Sequence, residues 1–326
     1  MLSISRVREL AGVVIPVYFS PGVPAGVIRA ILERTLQDHE VFCRPERLVL
    51  VVDQGTTAES VLRQAGRSSV LKGLNRVILD EHRAKAGSIC AGLRYLLEEG
   101  SSELLITRDC DGDHLQEDFS RMATLAEDIG AYTGCELVGV IGARPSLTRP
   151  MGWLRKEWER LTNRVLEDMI RYRLAHLNCL PDERFLSGYE ADIQSGFRLY
   201  SRKAAEAAAQ CLEDLPEDPE ILTLACEFVP YMALLTQGAV FGQVQRMTMV
   251  EQPVSSYQGV DFAKTYGSLL KYVAEAYEIP AEVLAVSFDN GIVGASLYFT
   301  DSREDLLRCR KIAVPEAGPL RMAGFL

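Results

Sequence analysis

Three aspartates, Asp109, Asp111 and Asp113, alternate along the chain directly after an apolar run. Carboxylates at the end of a buried strand are costly to remove from water, so this cluster needs a cation, a proton or solvent beside it. Two carboxylates spaced D-x-D can reach one hard cation, and Mg²⁺ or Mn²⁺ would then bridge them to phosphate oxygens. Such a cation neutralises the charge that develops on a departing diphosphate. The segment therefore favours a metal site for a nucleotide diphosphate.

Three other interpretations of the same segment compete with this one. A calcium-binding loop requires Gly at its sixth position and Glu at its twelfth, where this chain has His114 and Ser120. A phosphohydrolase with an aspartyl nucleophile also places D-x-D-G after a strand. That strand is normally the first, however, and a threonine normally follows the glycine. The third alternative is a solvated polar turn that has no function.

Apolar runs alternate with helical patterns in the first half of the chain, and their order positions these aspartates. Strands are predicted at residues 12–19, 47–55, 75–82, in the apolar run that ends at the aspartates, and at 136–144. Helices are predicted at residues 25–38, 84–100 and 153–175. This alternation predicts a parallel sheet with helices on both faces, whose ligands bind beyond the carboxyl ends of the strands. Tyr18, Asp53, Arg144 and the aspartates are expected to converge at that edge.

The second half of the chain carries fewer strand signals. The alanine-rich run in "SRKAAEAAAQCL" predicts a helix, and Pro219 is placed for the start of another. A strand-like segment follows at residues 239–254, and a helix is predicted from residue 261.

The composition is that of an ordinary globular protein and excludes several classes. The chain has 326 residues, of which 48% are hydrophobic, which is enough for one large domain or two coupled ones. The net charge of -10 argues against a general nucleic-acid binder, although it leaves room for a local basic pocket. No uninterrupted apolar run reaches about 20 residues, so no transmembrane helix is expected.

The cysteines indicate the compartment. The eight cysteines form no CxxC pair, which argues against a structural zinc site. Most lie in apolar contexts and are expected to be buried thiols, which suits a reducing, cytoplasmic location. The N-terminal segment "MLSISRVREL" lacks the apolar core of a secretory signal.

The order of these motifs resembles glycosyltransferase family 2. The segments "VVIPVYF", "LVLVVDQGTT", "AKAGSICAGLRYLLEEG" and "ITRDCDGDHLQEDF" carry the resemblance at ordinary spacing. "DCDGDH" resembles the D-x-D-G-x-H motif of the polyprenyl-phosphate sugar transferase branch. "DIQSGFRLYSR" (192–202) and "VEQPVSSY" (250–257) resemble later segments of that branch, so the resemblance covers roughly residues 12–257.

The resemblance implies a GT-A fold, an α/β architecture with a parallel-rich nucleotide-binding sheet, helices on both faces and here a C-terminal helical extension. It implies a donor-binding half at residues 1–120, an acceptor-binding half of the same domain at 121–257, and the extension at 258–326. It also implies a UDP- or GDP-sugar donor and a divalent metal, Mn²⁺ or Mg²⁺. The extension could cover the acceptor site, form a homodimer contact or meet a membrane surface peripherally.

The resemblance also assigns residues to the nucleoside part of the donor. Pro16, Val17 and Tyr18 would line the nucleobase pocket. Asp53 would face the base or the ribose, although the family usually has a second acidic residue where this chain has Gln54.

Basic residues from three places would contact the diphosphate. Lys85 lies at the start of a predicted helix, Arg198 follows "IQSGF", and Arg144 and Arg149 lie on a loop after the fifth strand. Each has a structural alternative. Lys85 would be a solvated helix-end lysine, Arg198 would pair with Asp192 to brace a turn, and the two loop arginines would be exposed.

In the same scheme Asp109 and Asp111 bind the metal and the ribose, with Asp111 in direct contact with the metal. Asp113 is the third metal-site residue, as a ligand or as a support behind the other two. Among the four histidines, His114 alone is placed to touch the diphosphate.

The general base of an inverting transfer would be a carboxylate in an acidic segment before a helix, and "LPEDPEI" supplies Glu217 and Asp218 there. Such a carboxylate would remove the acceptor's proton as the sugar carbon is attacked. Asp192 is the rival for this role. Acids at a helix N-terminus also complement the helix dipole without any catalytic role, and an acceptor that is already a phosphate needs no base.

The leading hypothesis is a metal-dependent glycosyltransferase that moves a sugar from a nucleotide-diphosphate sugar to a small-molecule or glycan hydroxyl group. A polyprenyl-phosphate glycosyltransferase is the alternative, although such relatives often carry apolar membrane segments after the catalytic domain. A nucleotidyltransferase would carry a basic, glycine-rich loop after the first strand, whereas "PVYFSPGVPAG" contains no Lys or Arg. A non-catalytic binder would retain metal-dependent UDP or GDP binding without turnover.

Overall fold

The computed structural model describes residues 1–20, 22–54, 57–65, 70–71, 73–148, 151–186, 191–247 and 260–316. The strands within these ranges are β1 Ala11–Val17, β2 Leu48–Val52, β3 Asn75–Ile78, β4 Leu104–Thr107, β5 Val138–Ala143, β6 Arg198–Ser201 and β7 Val240–Gln245. They form one sheet in the order β3-β2-β1-β4-β6-β5-β7. Strand β6 runs antiparallel to both of its neighbours, and the other pairings are parallel.

The predicted α/β fold class is confirmed. Every residue of β1 and β2 is buried, because helices cover both faces of the sheet. Their sequences, "AGVVIPV" and "LVLVV", are the continuous apolar, β-branched runs that such strands require. The short strand β6 was not predicted, and the strand-like segment at 239–254 is realised as β7.

The helices are α1 Ile4–Leu10, α2 Ala25–Leu36, α3 His39–Phe42, α4 Thr57–Gln64, α5 Ala84–Glu99, α6 Asp118–Thr133, α7 Trp153–His176, α8 Arg202–Glu213, α9 Pro219–Leu222, α10 Ala225–Thr236, α11 Phe262–Ala276, α12 Ala281–Val293 and α13 Arg303–Ala313. Short 3₁₀ helices cover Pro45–Arg47 and Ser296–Phe299. The helices predicted at 25–38, 84–100 and 153–175 are confirmed as α2, α5 and α7. Gly100 ends α5 with a φ of 75°, the left-handed conformation that glycine adopts without strain.

Alternate residues of each strand enter different cores. Val14 packs into a cluster with α5, α7, α8 and α10, whereas Val13 and Ile15 pack into a second cluster with α2 and α6. This is the two-residue period of a strand that is buried on both faces.

The described part of the C-terminal extension joins the first of these cores. Trp158 of α7 stacks against Phe262 and Tyr266 of α11, with ring centroids 6.2 and 6.0 Å apart. Among the described residues, no helix combines the length and the apolar character that a membrane crossing needs.

The strand register gathers several loops at one edge of the sheet. Val17 lies beside Val52, and Val52 lies beside Ile78, so the loops after β1, β2 and β3 start together. Because β6 is antiparallel, its first residue, Arg198, lies beside Thr107, the last residue of β4. The segment that precedes β6 therefore reaches the same edge as the segments that follow the parallel strands.

Candidate functional site

A cavity of about 310 Å³ opens at this edge of the sheet. Its wall combines residues that follow β1, β4, β5 and β7, residues that precede β6, and side chains of α5 and α7. The residues predicted for the site that line it are Pro16, Tyr18, Lys85, Asp109, Asp111, Asp113, His114 and Arg144.

Contacts from α2 and from its own backbone shape the turn that carries the aspartates. The Thr35 hydroxyl of α2 donates to the Cys110 carbonyl at 2.8 Å. Gly112 has a φ of 78°, which lets the chain reverse between the aspartates. The Asp113 amide donates to Asp111 Oδ1 at 3.2 Å and closes the turn.

His114 and Arg246 hold Asp113. Its side chain lies 3.2 Å from His114 Nε2 and 3.3 Å from an Arg246 guanidinium nitrogen, and Asp113 is 5% exposed. The Asp109 amide donates to His114 Nδ1 at 3.0 Å, so the proton of the neutral ring lies on Nε2. Burial, followed by the charge of Arg246, lowers the pKa of His114 well below its usual value. This neutral histidine supports the turn from behind.

Lys85 joins three segments of the cavity floor. From the first turn of α5, its Nζ lies 2.8 Å from Asp109 Oδ1 and 2.7 Å from Glu227 Oε1. Glu227 belongs to α10 and is 2% exposed. Gly196 passes so close that a Cβ there would lie 2.5 Å from Lys85 Nζ. A larger residue at that position would displace the ion pair.

The donor set of the turn fits a hard divalent cation. Burial and the nearby carboxylates of Asp113 and Asp109 raise the pKa of Asp111 well above its usual value. A cation beside Asp111 would offset that repulsion. Within the described ranges, no group of three or more ligating side chains is arranged to enclose an ion. Phosphate and water oxygens would therefore complete its coordination, as they commonly do for Mg²⁺.

A buried ion-pair network links Arg144 to α7. Arg144 Nε donates to Asp192 Oδ2 at 2.8 Å, its Nη2 contacts Asp192 Oδ1, and Nη2 lies 2.8 Å from Glu159. Arg155, which also lines the cavity, lies 2.7 Å from Glu159. Burial alone would raise the pKa of Asp192, but the ion pair and hydrogen bonds with Arg144 outweigh it and lower the pKa. Asp192, a candidate base, is therefore engaged by Arg144.

One wall of the cavity is aromatic. The rings of Tyr18 and His82 lie 5.5 Å apart at a tilt of 41°, and both side chains line the cavity. Asp53 lies behind His82, with its Oδ2 2.7 Å from His82 Nδ1. Asp53, which was predicted to face the base or the ribose, thus contacts His82, a cavity residue that was not predicted.

Val17 and Arg198 contribute to the frame of the site rather than to the cavity lining. Val17 is buried at the end of β1. Arg198 is 2% exposed, donates from Nε to the Ser195 carbonyl at 3.1 Å and contacts the Ile193 carbonyl. It holds the segment before β6, which carries Gly196.

The acidic segment "LPEDPEI" lies outside the cavity lining. Asp218 caps α9 by accepting from the Glu220 amide at 2.9 Å, and Glu217 is exposed. Thr223, which directly follows α9, lines the cavity. Glu217 and Asp218, which directly precede α9, therefore lie near the rim.

Several residues of the site were missed from the sequence, namely His82, Arg155, Glu227 and Arg246. Two of them carry a local signal. A single carboxylate inside the apolar run "ACEFVPYMALL" indicates a buried, paired group, and Arg246 directly follows a strand as the predicted residues do. Two predictions, Arg149 and the segment 250–257, lie outside the described residues.

No protein-family model and no curated protein matches this chain. Solved structures match it at low identity. One is the mannosyltransferase PcManGT from Pyrobaculum calidifontis in complex with GDP-Man and Mn²⁺, at 14% identity and a TM-score of 0.51. That alignment covers 95% of this chain and 88% of the mannosyltransferase.

Two further matches have lower TM-scores. S. aureus TarS 1–349 matches at 12% identity with a TM-score of 0.49, over 94% of this chain and 81% of that one. A CMP:2-keto-3-deoxy-manno-octonic acid synthetase complexed with CTP matches at 14% identity with a TM-score of 0.41, over 75% and 94% of the two chains. At these identities the likeness to the mannosyltransferase shows the fold alone, which is GT-A-like.

Proposed function

We propose that this protein is a metal-dependent glycosyltransferase that uses a nucleotide-diphosphate sugar as donor and a hydroxyl group of a small molecule or glycan as acceptor. One observation carries the proposal. The cavity at the carboxyl ends of the parallel strands joins an aromatic wall to the D-x-D turn and to Lys85. The aromatic wall suits a nucleoside, and the D-x-D turn and Lys85 suit a metal-bound diphosphate.

In this proposal the chain supplies three kinds of contact to the donor. The Tyr18 and His82 rings, with Pro16 beside them, offer an apolar face on which a nucleobase packs. Lys85 and Arg144 supply positive charge along the diphosphate. Their carboxylate partners keep both side chains in place before the donor arrives.

Asp109 and Asp111 would hold the divalent cation. When bound, the ion would supply charge stabilisation to the nucleoside diphosphate as it leaves the sugar. Asp113, held by His114 and Arg246, keeps the turn in shape.

The acceptor's proton requires a separate group. Within the described ranges, the carboxylates that line the cavity are those of the turn itself. Asp192 is engaged by Arg144, so the acidic segment with Glu217 and Asp218 near the rim remains our proposed source of the base. Asp218 would have to turn toward an acceptor bound at the rim.

The first test measures nucleotide binding and its dependence on the turn. We expect UDP or GDP, at about 100 times its dissociation constant with Mn²⁺ present, to stabilise the wild type by about 2.7 kcal/mol. In Asp111→Asn this Mn²⁺-dependent stabilisation should disappear while the unliganded melting temperature stays close to that of the wild type. The exposed Asp80→Asn is the matched control and should behave as the wild type.

The product then decides the reaction class. Release of free nucleoside diphosphate from a UDP- or GDP-sugar, with Mn²⁺ and an acceptor, supports glycosyl transfer. Release of pyrophosphate from a nucleoside triphosphate would indicate a nucleotidyltransferase instead. Nucleotide binding that is unaffected by Asp111→Asn would remove the metal-site assignment.

A further inference from the structure

His82 belongs to the aromatic wall and Asp53 lies behind it, and the two oxygens of Asp53 have different surroundings. Asp53 is 0% exposed, and its Oδ1 accepts from the Gln54 amide at 3.1 Å and from the Arg83 amide at 3.0 Å. Oδ2 lies 2.7 Å from His82 Nδ1. The His82 side chain is 56% exposed and lines the cavity opposite Tyr18.

The buried carboxylate favours one tautomer of the neutral imidazole. Oδ2 of Asp53 has no hydrogen bond within the described part of the chain, so its charge stabilises a proton on the ring nitrogen 2.7 Å away and would repel a lone pair there. The proton therefore lies on Nδ1. Nε2 lies on the other side of the ring, away from Asp53, and in the neutral ring it is a hydrogen-bond acceptor.

We propose that His82 determines the nucleobase specificity of the site, with Asp53 as the positioning residue that fixes its tautomer. The inference rests on the proposed function, in which a nucleotide occupies the cavity. An acceptor at Nε2 pairs with a ring N–H, which uracil carries at N3 and guanine at N1. Cytosine and adenine carry a lone pair at the equivalent ring position, and two lone pairs repel each other. The site would therefore take UDP- or GDP-type donors and reject CDP- and ADP-type donors.

The assignment changes the role predicted for Asp53. Asp53 is 0% exposed and does not line the cavity, so it acts on the base through His82 rather than by direct contact. Gln54 stands where the family that the sequence resembles usually has a second acidic residue. It is exposed, and base recognition by His82 does not require it.

Asp53→Asn tests the pair with little change of shape. The carbonyl oxygen of the introduced carboxamide can still accept from both backbone amides, while its NH₂ group faces His82 Nδ1. An NH₂ group donates, so the proton of the neutral ring would move to Nε2, which becomes a donor. The preference for a ring N–H should then be lost or inverted. His82→Phe keeps an aromatic ring beside Tyr18 but has no ring nitrogen, so it should bind both kinds of base alike.

The measurement is calorimetric titration of UDP, CDP, GDP and ADP with Mn²⁺, at about pH 8, above the ordinary range of imidazole titration. We expect the wild type to bind UDP at least about tenfold more tightly than CDP, or GDP more tightly than ADP by a similar factor. In both variants that ratio should fall to about one or below. Asp80→Asn, on the same loop as His82, should keep the wild-type ratio.

The outcomes separate the inference from the proposed function. A wild type that binds none of the four nucleotides would overturn the proposed function, and the inference with it. A wild type that binds one of them but ignores the base, or that prefers CDP or ADP, would overturn only the inference. An unchanged ratio in both Asp53→Asn and His82→Phe would do the same. Because His82 is half exposed, its variant remains informative if Asp53→Asn does not fold.

Discussion

Lys85 and Glu227 show how single residues prepare the cavity floor. Glu227 is a carboxylate inside an otherwise apolar helix, and an unpaired charge at such a position is strongly destabilising. Its ion pair with Lys85 offsets that cost and holds the ammonium group 2.8 Å from Asp109. The three groups together carry one net negative charge, which favours a cation over a bare phosphate at this point.

Glu227→Gln should therefore reduce the Mn²⁺-dependent stabilisation by nucleotide more than it reduces the stability of the unliganded protein. With Glu227 neutral, Lys85 balances Asp109 alone, and one negative charge next to the turn is lost. We expect the Mn²⁺ concentration for half-maximal stabilisation by UDP or GDP to rise about tenfold, because that charge attracts the cation at close range. Thermal denaturation across a Mn²⁺ titration measures this.

Glu220→Gln provides the control, because Glu220 pairs with Lys264 and does not line the cavity. It should leave the Mn²⁺ response unchanged. A Glu227→Gln protein that responds to Mn²⁺ as the wild type does would contradict the electrostatic role of Glu227.

Strand β6 could not be predicted from the sequence of its own residues. The four residues "RLYS" are too few to show a period, and the residues that pair with β6 lie about 60 residues away in β5 and about 95 residues away in β4. The parallel strands β1 and β2 are long apolar runs in the sequence, so they were predictable, and so was the aspartate turn that follows another apolar run. The antiparallel insertion of β6 is set by long-range pairing, and it brings Gly196 and Gln194 to the cavity.

Because β6 was not predicted, the position of the Arg198 side chain was not predicted correctly either. The residue after "IQSGF" was expected at the diphosphate, but a strand sends successive side chains to opposite faces. One residue of register decides which face receives the guanidinium group. In the structure it faces the carbonyl groups of Ile193 and Ser195 and braces the turn before β6.

Arg198→Lys distinguishes the two roles. If Arg198 braces the turn, the loss of its planar fork leaves buried carbonyl groups poorly satisfied, and we expect the free energy of unfolding to fall by about 2 kcal/mol. Chemical denaturation measures this loss. A direct diphosphate contact predicts the reverse pattern, weaker nucleotide binding with the stability unchanged. Arg29→Lys, at an exposed pair with Glu33 on α2, should change neither quantity.

The charge of the whole molecule fits a metal-bound ligand better than a bare anion. The chain carries a net charge of -10, and the cavity cations Lys85, Arg144, Arg155 and Arg246 each face at least one carboxylate. The cavity is therefore not strongly positive. A nucleotide whose diphosphate is neutralised by Mn²⁺ or Mg²⁺ would enter it at a smaller electrostatic cost.

Polar contacts also connect the cavity to the C-terminal extension. Gln194 lines the cavity and donates to Asn163 Oδ1 of α7 at 2.8 Å. Its Oε1 accepts from the Tyr266 hydroxyl of α11 at 2.6 Å. Val260, at the start of the described extension, also lines the cavity. The extension thus contributes to the wall of the site as well as to the core.

Tyr266→Phe tests that connection. The Tyr266 hydroxyl is buried, and its removal leaves Gln194 Oε1 without this donor, so we expect the free energy of unfolding to fall by about 1–2 kcal/mol. Tyr272→Phe on the same helix is the control, since its hydroxyl hydrogen-bonds to no other residue in the described part of the chain. Urea denaturation compares the two variants directly. Equal losses would show that the hydrogen bond to Gln194 contributes no stability.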